Sequence, residues 1–164
     1  MRRLVAAIVV LFLSTAMTNA VCADDTANAI AVLRAVQPGA VDSAAAREAV
    51  QKLKAGGEQT LMPLLYAFRD ASPLASNWLR NAFEQIVAGE TTASRKLPQK
   101  ELETFVLDQT QSPLARRLVY ETLKQTDAGI EGRLIPDMLL DASPEFRRDA
   151  VARLITEAAA MPDA

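Results

Sequence analysis

The sequence predicts an all-α fold built from stacked helix hairpins, and three observations predict it. Apolar residues recur at helical spacing along the chain, whereas the strict alternation of a half-buried strand is absent. Half of the 164 residues are apolar but only 5% are aromatic, with Ala and Leu dominant, a composition that lets helix backbones approach closely. A Ser-Pro dipeptide also recurs three times, as Ser72-Pro73, Ser112-Pro113 and Ser143-Pro144.

The first element is a targeting segment. Met1-Arg2-Arg3 supplies a positive start, Leu4 to Leu13 is an unbroken apolar run, and a polar stretch follows from Ser14 to Ala20. This is the three-part layout of a secretory signal peptide, and the run is shorter than the roughly 20 residues that a membrane span requires. Small residues offer cleavage after Ala20 or after Ala23, and Ala23 is expected because Asp24-Asp25 then begins a polar mature chain, giving a signal peptide over 1–23 and a helical domain over 24–164. Cys22, the single cysteine, leaves with the signal. Lipid anchoring there is not expected, because Val21 and Asn19 stand where a lipobox needs a small residue and a Leu. The mature chain is then exported to the periplasm or secreted, holds no disulfide, and starts at Asp24-Asp25, a pair expected to be mobile.

Helices follow in order. Residues Ala27–Val36 form a first segment, and Ala46, Ala49, Val50 and Leu53 mark a second, stopped by Gly56-Gly57. Gln59–Phe68 forms a third. Leu74, Trp78, Ala82, Phe83 and Ile86 mark a fourth that ends near Gly89, with a polar loop from Gly89 to Leu97. Gln99–Asp108, Leu114–Lys124 and Gly129–Leu140 come next. Phe146, Ala150, Val151, Leu154, Ile155 and Ala158 give the clearest stripe, on a helix over Glu145–Met161.

Each Ser-Pro predicts a sharp corner. Serine at an N-cap accepts a hydrogen bond from a first-turn N–H, and proline at the next position has no N–H to leave unpaired. Leu61-Met62-Pro63 before Asp70-Ala71-Ser72-Pro73 matches Leu134-Ile135-Pro136 before Asp141-Ala142-Ser143-Pro144. The corners stand 40 and then 31 residues apart, within the range of helix-hairpin repeats.

The last unit resembles a HEAT repeat. Asp141-Ala142-Ser143-Pro144-Glu145-Phe146-Arg147-Arg148 matches the family's turn acid, apolar position and following arginine. The other units depart from it, with Ser76 in place of the arginine in one and Thr110 in place of the acid in the other. The resemblance implies a short right-handed α-solenoid (armadillo-like), a binding role, and contacts between acids and arginines of neighbouring repeats. Asp70 is expected to reach Arg116.

Little chemistry is on offer. Histidine is absent, which removes the commonest general base and zinc ligand. Glu101 and Glu103 point to different sides of a helix, Gly56-Gly57 lacks the lysine of a phosphate loop, and no serine has a lysine three residues on. No catalytic residue, metal site or cofactor is predicted. Without Arg2 and Arg3 the chain carries 16 basic against 20 acidic residues, a net charge of −4, which disfavours nucleic acid and acidic membranes. Arg116 with Arg147, and Arg117 with Arg148, fall at equivalent repeat positions, so two basic rows are candidate binding residues. The alternative is pairing of these rows within the chain and with acids such as Glu121, Glu145 and Asp149. Trp78, Tyr66, Phe68 and Phe105 are expected in the core.

The expected function is a non-enzymatic interaction or scaffold module for a protein partner. Its C-terminal helix keeps an apolar stripe that the N-terminal helices, a second copy or a longer chain must cover, so a homodimer through that helix is one form. The alternatives are an accessory domain or fragment of a larger exported enzyme, and a helical bundle around a small apolar ligand.

Overall fold

The computed structural model describes residues 23–39 and 43–161, and within them the chain is helical with no strand. The expected signal segment and Cys22 lie outside the described residues, apart from Ala23. The chain divides into two compact units: the described residues through Ala67 with Ala71–Arg95, and Phe68–Asp70 with Lys96 onward.

In the first unit, a helix over 23–35 (α1) buries Ala29 and Leu33, with Val36 just beyond it. Asp24 and Asp25 belong to this helix instead of a mobile start, and Lys52 feels the charge of Asp25. Helix α2 (Ser43–Gly56) buries Ala46, Ala49, Val50 and Leu53 and packs along α4 (Pro73–Thr92). Gly57 closes α2 in the left-handed region, at φ 61°, and starts a 3-10 turn, Gly57–Thr60. The Thr60 hydroxyl donates to Leu53 O at 2.9 Å and to Gly57 O at 2.8 Å, satisfying a carbonyl that the ending helix leaves open. Helix α3 (Leu61–Tyr66) tolerates Pro63 because a first-turn residue has no intrahelical N–H bond to lose.

Helix α4 does not stop at Gly89. It runs to Thr92, and the predicted loop shrinks to residues 93–98. The closure uses Ser94 at φ 55°, with Arg95 N–H donating to Glu90 O at 2.9 Å and Ser94 N–H to Thr91 O at 2.9 Å. Burial on α4 follows Ala75, Leu79, Ala82, Phe83 and Ile86. That stripe is rotated from the predicted one, so Trp78 is only half-buried. Tyr66 is exposed, against expectation, whereas Phe68 and Phe105 are buried.

In the second unit, α5 (Gln99–Leu107) packs on α6 (Pro113–Thr126). The segment expected as one helix over Gly129–Leu140 is split into α7 (Ile130–Leu134) and a 3-10 turn, Ile135–Met138. Pro136 has no N–H for the next α-helical bond, so the ladder breaks there. This segment packs on α8 (Pro144–Ala159). All three Ser-Pro corners place proline in the first turn of a helix.

Candidate interaction surface

Arg116 and Asp141 lie at the centre of the second unit. Arg116, in the first turn of α6, is fully buried, and all three of its nitrogens donate. Nε reaches Val106 O at 2.6 Å, Nη1 reaches Asp141 Oδ1 at 2.9 Å, and Nη2 reaches Asp141 Oδ2 at 2.5 Å. A planar guanidinium satisfies a carboxylate in this two-pronged way, and Val106 O is a carbonyl left open at the end of α5. Asp141 also accepts Ser143 N–H at 2.8 Å. Burial alone would push the Asp141 carboxyl up. The Arg116 guanidinium and the Ser143 N–H outweigh that and hold it below its ordinary value.

The expected contact between Asp70 and Arg116 is therefore replaced. Arg116 takes the acid of the following corner, and Asp70 is exposed with φ at 57°. Thr110 does replace the turn acid at the Ser112 corner, and Asp108, two residues earlier, caps that turn. Its carboxylate accepts Gln111 Nε2 at 2.7 Å, Thr110 Oγ1 at 2.7 Å and Thr110 N–H at 3.0 Å, and these donors bring its pKa down to about 2. The two corners touch where Ala142 N–H donates to Gln109 Oε1 at 3.2 Å.

Phe146 fills the space beside the pair. Its ring meets Tyr120 edge-on, with centroids 5.6 Å apart and planes at 76°. The Arg116 and Arg117 guanidinium carbons stand 4.9 and 5.7 Å from its centroid. Burial pushes the Tyr120 phenol up to about 12, so the ring stays neutral beside these charges.

The remaining arginines of the two rows are used locally. Arg117 pairs with Asp149 of α8 and with Glu121 at 2.6 Å. Arg147 Nη1 donates to Asp141 O at 2.6 Å and Ala142 O at 3.1 Å. Arg148 is exposed and makes a long 3.5 Å contact to Asp149. The rows thus form no continuous basic face. Of the three serine caps, only Ser72 accepts a first-turn N–H, from Ala75 at 3.1 Å. Ser112 and Ser143 sit at the cap position without that side-chain bond, and at the latter corner Asp141 takes up a free N–H instead.

What the second unit does present is apolar. Phe146 and Ala150 anchor α8, but Val151, Leu154 and Ile155 are 47%, 48% and 65% exposed. The predicted stripe is thus a core stripe only in its first turns. In the first unit, a surface groove of about 710 Å³ runs along α1, lined by residues including Ala27, Ile30, Ala31, Gln59 and Pro63. Most of its lining is itself solvent-exposed, so it is an open trough and not an enclosed ligand cavity.

Sequence reasoning missed Glu90, which is buried at the end of α4. It accepts Arg95 Nε at 2.5 Å and Nη2 at 2.8 Å, and the Glu58 N–H also donates to it. Only the five-residue spacing to Arg95 hinted at this clamp. Among the described residues no cluster of three or more potential ligating side chains stands ready for a metal ion, and no helix is long and apolar enough to cross a membrane. No family model, no curated protein and no solved structure matches this chain.

Proposed function

We propose that this chain is an exported, non-enzymatic interaction module, a short HEAT-like α-solenoid that binds a protein partner. The observation that carries the reading is the exposed aliphatic stripe of Val151, Leu154 and Ile155 on a helix that Phe146 and Ala150 anchor in the core. Three large aliphatic side chains on one helix face lose about 25 cal/mol of transfer free energy per Å² left in water, so such a face is stabilised by a partner. The Arg116–Asp141 pair supports the repeat reading, since an acid at one corner reaches the arginine that opens the preceding unit's second helix. Export is supported by the signal-like first 23 residues.

Photo-cross-linking in living cells tests the binding role. A photoreactive residue at Ile155 is expected to give a discrete protein adduct, while the same residue at the exposed Arg80 of α4 gives none. Equal labelling from both positions, or from neither, would remove the binding role from this face.

A further inference from the structure

The outer face of α8 is in register with a face that α6 keeps covered. Aligning the Ser112-Pro113 and Ser143-Pro144 corners offsets the helices by 31 residues. Arg147 then takes the place of Arg116, Val151 that of Tyr120, and Leu154 that of Leu123. On α6 all three are buried, with Asp141 on Arg116 and Phe146 on Tyr120. On α8 the equivalents are open; Ile155 beside them is more open still and aligns with Lys124, which α6 also leaves exposed. The α8 stripe therefore has the form of a face that another helical element covers.

The chain carries a counterpart to that stripe in its first unit. The groove along α1 is lined by Ala27, Ile30, Ala31 and Pro63, an aliphatic trough into which a ridge of Val, Leu and Ile fits. The charges sort to match. Arg147 and the exposed Arg148 stand at the N-terminal end of the α8 stripe, and exposed Asp24 shares a face with Ala27 and Ala31 at the N-terminal end of the α1 stripe. Parallel docking of α8 of one molecule along α1 of another pairs Arg148 with Asp24 while the aliphatic side chains meet.

We propose that this chain self-associates head to tail, the α8 face of one copy seating in the α1 groove of the next. This rests on the reading of the chain as an interaction module and names a second copy as the partner. Because the two faces differ, the contact is heterologous, and a single contact leaves one α8 face and one α1 groove still open.

Sedimentation of the full-length gene product as purified, with its N-terminus read by mass spectrometry, tests the proposal. The wild-type mass is expected to rise with concentration. A tail-blocked variant, Leu154→Asp/Ile155→Asp, and a head-blocked variant, Ala27→Glu/Ala31→Glu, are each expected to be monomeric. Their equimolar mixture is expected to form a 1:1 heterodimer and stop there. All four positions are exposed or nearly so, and unchanged circular dichroism verifies each fold. Should either double variant unfold, Arg148→Glu and Asp24→Lys replace them: each alone weakens association by about tenfold, and mixing restores it.

A wild-type chain that stays monomeric to about 1 mM overturns the proposal. So does a mass that stops at two with no heterodimer from the mixture, which is the signature of an α8-to-α8 pair. A monomer that still gives a foreign-protein adduct at Ile155 removes self-association while leaving the interaction-module reading in place.

Discussion

Arg116 and Asp141 are each almost fully removed from water, so neither charge has solvent to fall back on if its partner is lost. Arg116→Ala or Asp141→Ala is expected to cost about 3–5 kcal/mol in urea unfolding, because each strands a buried charge. A double-mutant cycle on this pair should return a coupling above about 1 kcal/mol, and the same cycle on Asp70 and Arg116 should return none. Acid should expose the same contact. Asp141 has a folded pKa below its unfolded one, so its contribution is complete above the unfolded value, about 3.9, and is lost as pH falls through the lower folded value. Asp108 behaves alike, with a window reaching down to about 2. Asp141→Asn should therefore flatten the acid limb of a plot of urea midpoint against pH, and an unchanged limb would contradict the assignment. The sequence displayed both Arg116 and Asp141, together with the pattern that marks them as repeat positions. It did not show which acid meets which arginine. That depends on whether an arginine faces the preceding or the following corner, and local periodicity carries no information about the direction of contact.

Helix existence was legible at the element scale because apolar spacing and Ser-Pro corners are local signals. Helix ends were legible only where a residue with a special backbone announced them. Gly57 closes α2 as expected, but Gly89 does not close α4, which ends through Ser94 in a conformation that non-glycine residues seldom adopt. The Glu90–Arg95 clamp holds that closure, and a five-residue side-chain pairing is invisible to a search for glycine. The two glycines should thus respond oppositely to alanine. Gly57→Ala places a Cβ at φ 61° and 2.7 Å from Glu90 Oε1, so it should destabilise by at least ~1 kcal/mol. A Cβ at Gly89 meets only the Lys54 Cε at 3.9 Å, and Gly89→Ala should stabilise by about 0.5–1 kcal/mol. Thermal melts of the two variants check the sign of each. The split of α7 from its 3-10 turn is likewise written in Pro136, whose missing N–H outweighs the apolar spacing around it.

For the whole molecule, the predicted C-terminal stripe combines two roles that a single sequence cannot separate. Phe146 and Ala150 are core, whereas Val151, Leu154 and Ile155 face solvent, although all five obey one helical period. Periodicity finds the apolar face of a helix but not the point at which its covering neighbour ends. The candidate surface was accordingly half-legible: the helix and its stripe were foreseen, but the α1 groove was not, since it joins α1 to residues 25 or more positions further along the chain, Gln59 and Pro63. Equilibrium urea unfolding of Leu154→Asp/Ile155→Asp, at concentrations where the chain is monomeric, tests whether this stripe is a docking face. The expected free energy lies within about 0.5 kcal/mol of wild type, because exposed positions contribute little to folding. A loss of several kcal/mol would show that these side chains belong to the core and that the face is not available to any partner.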